Sequence, residues 1–372
     1  MNEYHSQAPD TESAAGYQQF NNIDWNVNIS GRKLLRNSMR ITADIVYHSD
    51  GATVLEAADD IKINNKVGHH SYFNSFQVGT NKGQIEVLDN YPRYINMVTS
   101  ATHGANDFFT SLASAEGKSY MENSGKVVIQ QTTSANSTAK QNIRSGVSFS
   151  IQPQIAFNRM LSGNWSFDRQ GFISISCILA KNSHALYGGD MVTGTNYKLS
   201  NVRLEYQTIP DDGKLEKILA SSYVLVPSVV NSTVHNLSAR VAANASSGVA
   251  VSYLLQSKDN AMKEDAYHLD VLPLADELQY LFNSSMQKYL TYGITNRNEM
   301  VSLGIEALKS GHHNSCKGDN LSSNKGYITG LPFSETIDLS NQRFTIQTTT
   351  SNNQINVSPY NQYCYFSTIL AL

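Results

Sequence analysis

The sequence predicts an all-β protein made of two similar domains. Only 16% of its 372 residues are charged, while 20 Tyr and 13 Phe supply many large rings. This composition, rich also in Ser, Thr and Asn, favours pleated strands over long solvated helices. Two further observations support the prediction: apolar and polar residues alternate in several segments, and landmarks of the first half recur in the second.

Alternation with a period of two marks half-buried strands, in which one face meets a core and the other faces outward. Trp25, Val27 and Ile29, for example, are separated by asparagines. The same pattern recurs along the chain in Val147, Phe149 and Ile151, in Ile173, Ile175, Cys177 and Leu179, in Val202, Leu204 and Tyr206, and in Phe344 and Ile346.

Helical patterns are few, with one in each half. In each, an N-capping residue type precedes apolar residues at helical spacing, and a glycine follows. The first helix is predicted between Asn106 or Asp107 and Gly117, and the second between Asn296 and Gly311. Two long polar segments are predicted to be surface loops, 118–146 and 310–330.

The two halves of the chain repeat each other. Leu88 is matched by Leu281, and the segment around Ser176 is matched by the final segment around Ser367, in each case roughly 190 residues later. A shared order and a nearly constant offset are typical of a tandem duplication. The whole chain therefore divides into two similar β units.

Each unit is predicted to contain several strands, then a long connecting segment with one helix, and then further strands. The last of these is an apolar strand with alternating burial. This order suits a two-sheet antiparallel sandwich of the jelly-roll type. We therefore predict two tandem jelly-roll β-sandwich domains with short helices in their loops. An N-terminal arm covers 1–22, the first jelly roll 23–195 and the second 196–372, with the junction placed between Gly188 and Asn201.

Three segments carry a resemblance to a known family: Ile23–Ile29, Gly83–Pro92 and Leu199–Tyr206. They resemble segments of the double jelly-roll major capsid proteins of the adenovirus-hexon lineage, and most of all the compact forms in Polinton-like viruses and virophages. The resemblance spans nearly the whole chain, from about Asn22 to Leu372. In that family a strand such as Leu199–Tyr206 opens the second barrel, and each half carries a helix in the same loop.

The resemblance implies a viral major capsid protein without enzymatic activity. Three chains would form a pseudo-hexagonal homotrimeric capsomer, and capsomers would tile the icosahedral capsid of a DNA virus. A duplicated barrel suits this assembly, because a closed ring of three chains presents six similar barrels. The implied partners are neighbouring capsomers, vertex (penton) and minor capsid proteins, and an internal membrane reached through the arm 1–22. The protein would be synthesised in the host cytoplasm and reside in the virion.

Charge patterning argues against direct sequence-specific nucleic-acid binding. The chain carries 28 Lys and Arg against 31 Asp and Glu, and its first 22 residues contain no Lys or Arg. Nucleic-acid affinity usually needs clustered basic side chains. The one short basic group, which we expect to flank a strand, is Arg32, Lys33, Arg36 and Arg40.

Cysteine usage and the N-terminus both indicate a protein of the cytoplasm. Cys177, Cys316 and Cys364 are odd in number and far apart, which predicts neither a disulfide framework nor a zinc ribbon. The N-terminus lacks the apolar stretch of a secretory signal. The longest apolar run, Tyr223–Val230, contains Pro227 and is too short to span a bilayer. We expect a soluble protein folded under reducing conditions.

Two histidine groups are candidates for metal binding. His312, His313 and Cys316 lie in a polar loop and supply three of the four ligands that zinc needs, so a solvated loop is the simpler interpretation. His69 and His70 precede a predicted strand, Tyr72–Val78, and turn structure explains them. We expect no metal and no cofactor.

The sequence also predicts no catalytic residues. The tripeptide Gly117-Lys118-Ser119 resembles the end of a phosphate-binding loop, but Leu112 stands where the first glycine is required, and the tripeptide follows a helix that it should precede. The acidic pairs lie in turn-like surroundings, where solvated turns explain them: Asp59-Asp60 and Asp211-Asp212.

Two alternative functions stay open at this point. A secreted glycan-releasing amidase can also pair two jelly rolls, but it would need export and carboxylates in the groove between them. A trimeric carbohydrate-binding spike or fibre head would bind sugar through Tyr-rich surfaces. Four tyrosines could line such a groove, although core packing or a subunit contact explains them more simply: Tyr91, Tyr94, Tyr289 and Tyr292.

Overall fold

The structure is a computed structural model that describes residues 1–11, 13–54, 59–104, 107, 115–118, 147–240, 246–259, 261–270, 275–282, 293–310, 321, 326–339, 343–351 and 353–372. Within these residues, four antiparallel β-sheets share one continuous buried core. Strands of the N-terminal part form two of the sheets, and strands of the C-terminal part form most of the other two. The prediction of an all-β protein with two tandem sandwiches is confirmed.

The strands in chain order are β1 (Glu3–Gln7), β2 (Asn22–Val27), β3 (Arg32–Leu34), β4 (Arg40–Asp50), β5 (Thr53–Val54), β6 (Phe73–Thr80), β7 (Gly83–Leu88), β8 (Val147–Ile151), β9 (Met160–Ser162), β10 (Trp165–Ser166), β11 (Ile173–Leu179), β12 (Asn196–Pro210), β13 (Leu219–Val230), β14 (Val234–Ala239), β15 (Ser246–Leu255), β16 (Ala275–Phe282), β17 (Ile328–Ile337), β18 (Phe344–Thr350) and β19 (Tyr360–Ala371).

Strand order separates the two sandwiches. One N-terminal sheet has the order β10-β3-β12-β4-β5, with β1 also paired to β12 and β8 to β4, and the other has the order β2-β11-β6-β7. The C-terminal sheets have the orders β17-β15-β19-β13-β9 and β14-β18-β16. In each sandwich the strand that closes the repeat, β11 or β19, lies between two partners of its sheet. This common position supports the duplication inferred from Ser176 and Ser367.

The predicted alternation is confirmed in the strands. Along β11, every second side chain is buried, from Ile173 to Leu179. The same holds for Trp25 and Val27 in β2, whereas Ile29 lies just beyond that strand and is only partly buried. The buried residues face the space between the two sheets, where apolar area is removed from water.

The helices are α1 (Tyr91–Thr102), α2 (Phe167–Gln170), α3 (Asn182–Ala185), α4 (Gln256–Asp259) and α5 (Arg297–Ser310), with 3₁₀ helices at Gly68–Tyr72, Ala156–Asn158 and Asn353–Asn356. The helix predicted after Asn296 is α5, and its N-terminus is capped as expected: Asn296 Oδ1 accepts a hydrogen bond from the backbone N–H of Asn298 at 2.9 Å. The helix predicted from Asn106 or Asp107 to Gly117 lies largely outside the described residues.

Helix α1 was not predicted from the sequence. Tyr91, Tyr94, Ile95 and Val98 recur at helical spacing, and all twelve residues of the helix, polar ones included, are buried. Pro92 lies in its first turn, where the missing N–H of proline costs nothing.

Strand pairing crosses two of the predicted boundaries. The strand expected to open the second jelly roll, β12, instead pairs with β4, β3 and β1 in the N-terminal sheet, because its apolar residues Tyr197, Leu199 and Leu204 face the first core. Conversely, β9 of the N-terminal half pairs with β13 of the second sandwich. The expected arm is also partly folded, since Glu3–Gln7 form β1 and hydrogen-bond along residues 204–208 of β12.

Candidate functional site

The seam between the two sandwiches is built around helix α1. Arg93 of this helix reaches the second sandwich, where its guanidinium donates to the carbonyl of His268 at 3.1 Å and to the carbonyl of Ala266. The Asn96 amide donates to the carbonyl of Tyr267 at 2.6 Å. Side chains of the first sandwich thus satisfy backbone carbonyls of the second, which fixes the orientation between them.

Aromatic packing seals the same seam. The Tyr94 ring stacks on Tyr223 of β13 with a centroid distance of 3.8 Å, and it lies 5.6 Å from the ring of Tyr365 in β19. The Arg93 guanidinium carbon lies 4.2 Å from the centroid of the Tyr363 ring. Tyr91 and Tyr94 are therefore core residues, as the packing interpretation predicts, whereas Tyr289 and Tyr292 lie outside the described residues.

A buried ion pair lies beside these rings. Glu86 of β7 accepts hydrogen bonds from Arg159 and from the hydroxyl of Ser222 in β13, and its second oxygen accepts from the backbone N–H of Ala156 at 2.7 Å. Burial raises the pKa of Glu86, although the charge of Arg159 opposes the shift. The Ser222 hydroxyl links this pair to β13 of the second sandwich, and both charged side chains are buried.

A second polar network surrounds the histidine pair. His69 and His70 lie in the 3₁₀ helix Gly68–Tyr72, directly before β6, so the turn prediction is confirmed. The backbone N–H of Gln154 donates to the Tyr91 hydroxyl at 3.0 Å, which leaves that hydroxyl to donate to His70 Nδ1 at 2.8 Å. His70 Nε2 then carries the proton and faces the Glu116 carboxylate at 3.2 Å.

The segment 115–118 completes this network. Lys118 Nζ lies 2.9 Å from the Glu116 carboxylate, on the oxygen that also faces His70. Burial alone would raise the pKa of Glu116, but Lys118 and His70 hold it well below its usual range. Burial, together with the charge of Lys118, lowers the pKa of His70. Burial also lowers the pKa of His69 to about 3, so both imidazoles are neutral near pH 7.

Two glycines let these segments touch. Gly68 has a φ of +60°, and a Cβ at this position would lie 2.1 Å from the carbonyl oxygen of Glu116. Gly117 has a φ of +66°, and its Cβ would lie 2.7 Å from His69 Nε2. Gly117 and Lys118 therefore belong to a packed contact with the histidine pair.

The connection between the sandwiches is held by Lys33 of β3. This lysine is 1% exposed, and its Nζ lies 2.6 Å from Asp212, 2.8 Å from Glu216 and 2.8 Å from the carbonyl oxygen of Lys214. Of the basic group predicted to flank a strand, Lys33 lies within β3 and Arg40 begins β4. The acidic pair Asp211-Asp212 lies in the irregular connection after β12, where it serves as a partner of Lys33 rather than only facing solvent.

The other candidate residues form no site in the described part of the chain. No group of three or more His, Cys, Asp or Glu is placed there to hold a metal ion. His312, His313 and Cys316 lie outside the described residues. Burial raises the pKa of the Cys177 and Cys364 thiols. Asp60 is paired with Lys62 at 2.8 Å.

No helix among the described residues is long and apolar enough to cross a membrane.

Comparison with known proteins identifies the fold. No family model and no curated protein matches the sequence. Among solved structures, PBCV-1 VP54, fitted into a cryo-EM reconstruction of the virophage Sputnik, is similar with a TM-score of 0.65 and 9% identity, covering 100% of this chain and 95% of that one. The Faustovirus major capsid protein is similar with a TM-score of 0.65 and 8% identity, covering 100% and 90% of the two chains.

The mavirus major capsid protein is also similar, with a TM-score of 0.54 and 9% identity, and the match covers 99% of this chain and 90% of that one. All three matches run across both sandwiches and both ends of the chain. The chain therefore has the double jelly-roll fold. It shares this fold with major capsid proteins of viruses and virophages.

Proposed function

We propose that this chain is a viral major capsid protein that forms pseudo-hexagonal homotrimeric capsomers and tiles an icosahedral shell. The observation that carries the proposal is the match of the entire chain, through both sandwiches, to major capsid proteins. A trimer of such chains presents six similar barrels, so near-sixfold packing is reached with a closed threefold ring. The role is assembly, without a chemical step.

The seam suits that role. A capsomer keeps a hexagonal outline only if its two barrels hold a fixed relative orientation. Arg93, Asn96 and the Glu86–Arg159 pair connect the barrels through buried, directional contacts. Buried polar contacts of this kind lose much free energy when they are misaligned, and they therefore favour a single arrangement.

The proposed partners are neighbouring capsomers, vertex (penton) proteins and minor capsid proteins, with the virion as the location and the host cytoplasm as the place of synthesis. An internal membrane is a further proposed partner. Since Glu3–Gln7 are already paired with β12, membrane contact through 1–22 would use the outward side chains of this segment rather than a free arm. No sequence-specific contact with nucleic acid is proposed.

We also propose revised domain limits. The first jelly roll extends through β12 to residue 210, and the second begins at β13, with 211–218 as the connection. The position of Lys33 against this connection supports the revision, because the lysine ties residues 212–216 to the first sandwich.

Light scattering on the size-exclusion peak of the purified chain tests the proposed assembly. The expected mass is three times the chain mass of 41.1 kDa. A stable monomer near neutral pH and low salt, which also forms no ordered assembly when concentrated, would overturn the proposal. Release of glycans by the purified chain would support the amidase alternative instead.

A further inference from the structure

A polar cleft lies at one end of the first sandwich, where the second sandwich borders it. It consists of two adjoining hollows of about 420 and 380 Å³, which share Gln19, Asn182 and Thr193 in their walls. The segment before β2, the end of β4, helix α3 and the loop before β12 surround it. Met262 of the second sandwich adds an apolar side chain at one rim.

Hydrogen bonds hold the walls of the cleft in place. Gln19 Oε1 accepts from the backbone N–H of Asn182 at 3.0 Å, so the Gln19 amide nitrogen is left as a donor. His48 Nδ1 donates to Asn196 Oδ1 at 3.0 Å, since the Asn196 amide nitrogen donates to two backbone carbonyls. Thr195 is fixed by the carbonyl of Ser49 at 2.8 Å. Such preorganised walls lower the entropic cost of binding.

The floor of the cleft contains polar atoms without partners. Ser183 lines the smaller hollow and is only 7% exposed, yet its hydroxyl has no hydrogen-bond partner among the described residues. The same is true of Asn182 Oδ1. A buried hydroxyl or amide oxygen left unpaired destabilises the free protein, because it has lost its hydrogen bonds to water. A ligand that reaches the floor with hydroxyl groups would remove this cost.

The charge of the cleft is positive. Lys181 and Lys198 line it, no Asp or Glu does, and neither lysine forms an ion pair with a described carboxylate. The Asp50 carboxylate packs against Gly194 at the rim, so the two lysines outweigh it. An anionic group is therefore the favoured charge on a ligand.

We propose that this cleft binds a carboxylated sugar. The hydroxyls and amides of Gln19, Ser183 and Thr193 complement sugar hydroxyls, the two lysines pair with the carboxylate, and Val192 and Met262 cover the C–H face of the ring. An extended peptide fits less well because it would need an open strand edge. Here β12 is paired with β4 on one side, and Tyr17 bridges Leu199 on the other.

Calorimetric titration with D-glucuronate and with D-glucose tests the proposal, since the two probes differ at C6 only, in the carboxylate. We expect glucuronate to bind about tenfold more tightly, and Lys181→Gln with Lys198→Gln together to remove this preference. Lys82→Gln, in the exposed turn between β6 and β7, is the matched control and leaves binding unchanged. Equal affinity for the two sugars, or equal loss in the control, would overturn the proposal, as would tighter binding of a triglutamate peptide.

Ser183→Ala provides a second, independent readout. We expect removal of this unpaired buried hydroxyl to raise the melting temperature of the free protein and to weaken glucuronate binding. If Ser183 were purely structural, the substitution would instead lower the melting temperature and leave glucuronate binding unchanged. All lining residues belong to one chain, so a monomer binds as well as a trimer. Failure of this proposal is therefore separable from failure of capsomer assembly, which the mass of the same sample reports.

Discussion

Tyr94 of helix α1 stacks on Tyr223 of β13, with ring centroids 3.8 Å apart and planes inclined by 29°. This contact joins a buried helix of the first sandwich to the sheet of the second that packs against it. The Arg159 guanidinium lies 5.9 Å from one ring centroid and 5.6 Å from the other. The two sandwiches are thus joined by a packed, partly charged interior rather than by a surface contact.

Truncation of Tyr94 to alanine is expected to destabilise the whole chain. The side chain is 3% exposed, and loss of a large buried ring costs about 3–5 kcal/mol. Urea denaturation measures the change. Tyr4→Ala, at a 61% exposed tyrosine, is the control and should cost less than about 1 kcal/mol. Equal losses of unfolding free energy in the two variants would mean that Tyr94 at the seam contributes no more to stability than an exposed tyrosine does.

The Glu86–Arg159 pair should behave as a coupled unit. Glu86→Gln leaves a buried guanidinium without its anion and is expected to cost about 3–5 kcal/mol. The double variant Glu86→Leu with Arg159→Met removes both charges, so it should be more stable than Glu86→Gln alone. A double-mutant cycle of Glu86→Leu, Arg159→Met and the double variant measures the coupling free energy between the two side chains. If the losses of unfolding free energy in the two single variants simply added up in the double variant, the prediction would be contradicted.

The neutral histidines predict acid sensitivity. His69 has an ordinary pKa of 6.5 and a folded pKa lowered to about 3 by burial. Because the unfolded chain binds this proton first, the stabilising contribution is complete above pH 6.5 and is lost as the pH falls towards 3. Between pH 6.5 and 5 the loss from His69 is about 2 kcal/mol.

Denaturation curves at several pH values check this prediction. His69→Phe keeps a ring against Phe149, which lies 4.8 Å away between centroids, and should flatten the pH dependence by that amount. His268→Gln, at a side chain 52% exposed, serves as the control. An unchanged slope in His69→Phe would contradict the role assigned to burial.

The contact between Gly68 and the segment 115–118 can be tested with a pair of alanine variants. Gly68 and Gly31 both have positive φ values, +60° and +73°, so alanine costs about 1 kcal/mol or more at each position. Only at Gly68 would the added Cβ also meet a backbone oxygen, because nothing lies within 4 Å of a Cβ at Gly31. Gly68→Ala should therefore lower the melting temperature much more than Gly31→Ala does. Similar decreases in the two variants would rule out the close contact between residue 68 and the carbonyl oxygen of Glu116.

Local sequence patterns predicted those strands and helices that can be recognised from their own residues and caps. Alternation identified β2, β8, β11 and β18, because each has one buried and one outward face. Helix α5 was identified because the Asn296 cap and its apolar stripe are both local features. Helix α1 was missed although Tyr91, Tyr94, Ile95 and Val98 recur at helical spacing. The burial of its polar residues Arg93 and Asn96 depends on contacts with the second sandwich, which no local pattern shows.

The remaining differences come from long-range contacts. Alternation in β12 shows that the strand has a buried face, but not which core that face meets. The pairing of Asn196–Pro210 with β3 and β4 therefore could not be predicted from the strand alone. His69-His70 and Glu116-Lys118 are far apart in sequence, and only the fold brings them together. The cleft beside Ser183 likewise collects residues from five separate segments, so no short motif could predict it.

A cryo-EM reconstruction of the purified assembly tests the central proposal most directly. We expect three chains arranged around a threefold axis, with six columns of barrel density at nearly equal spacing and a hexagonal outline. A monomer, or a trimer with three separate lobes and no near-sixfold arrangement, would contradict it.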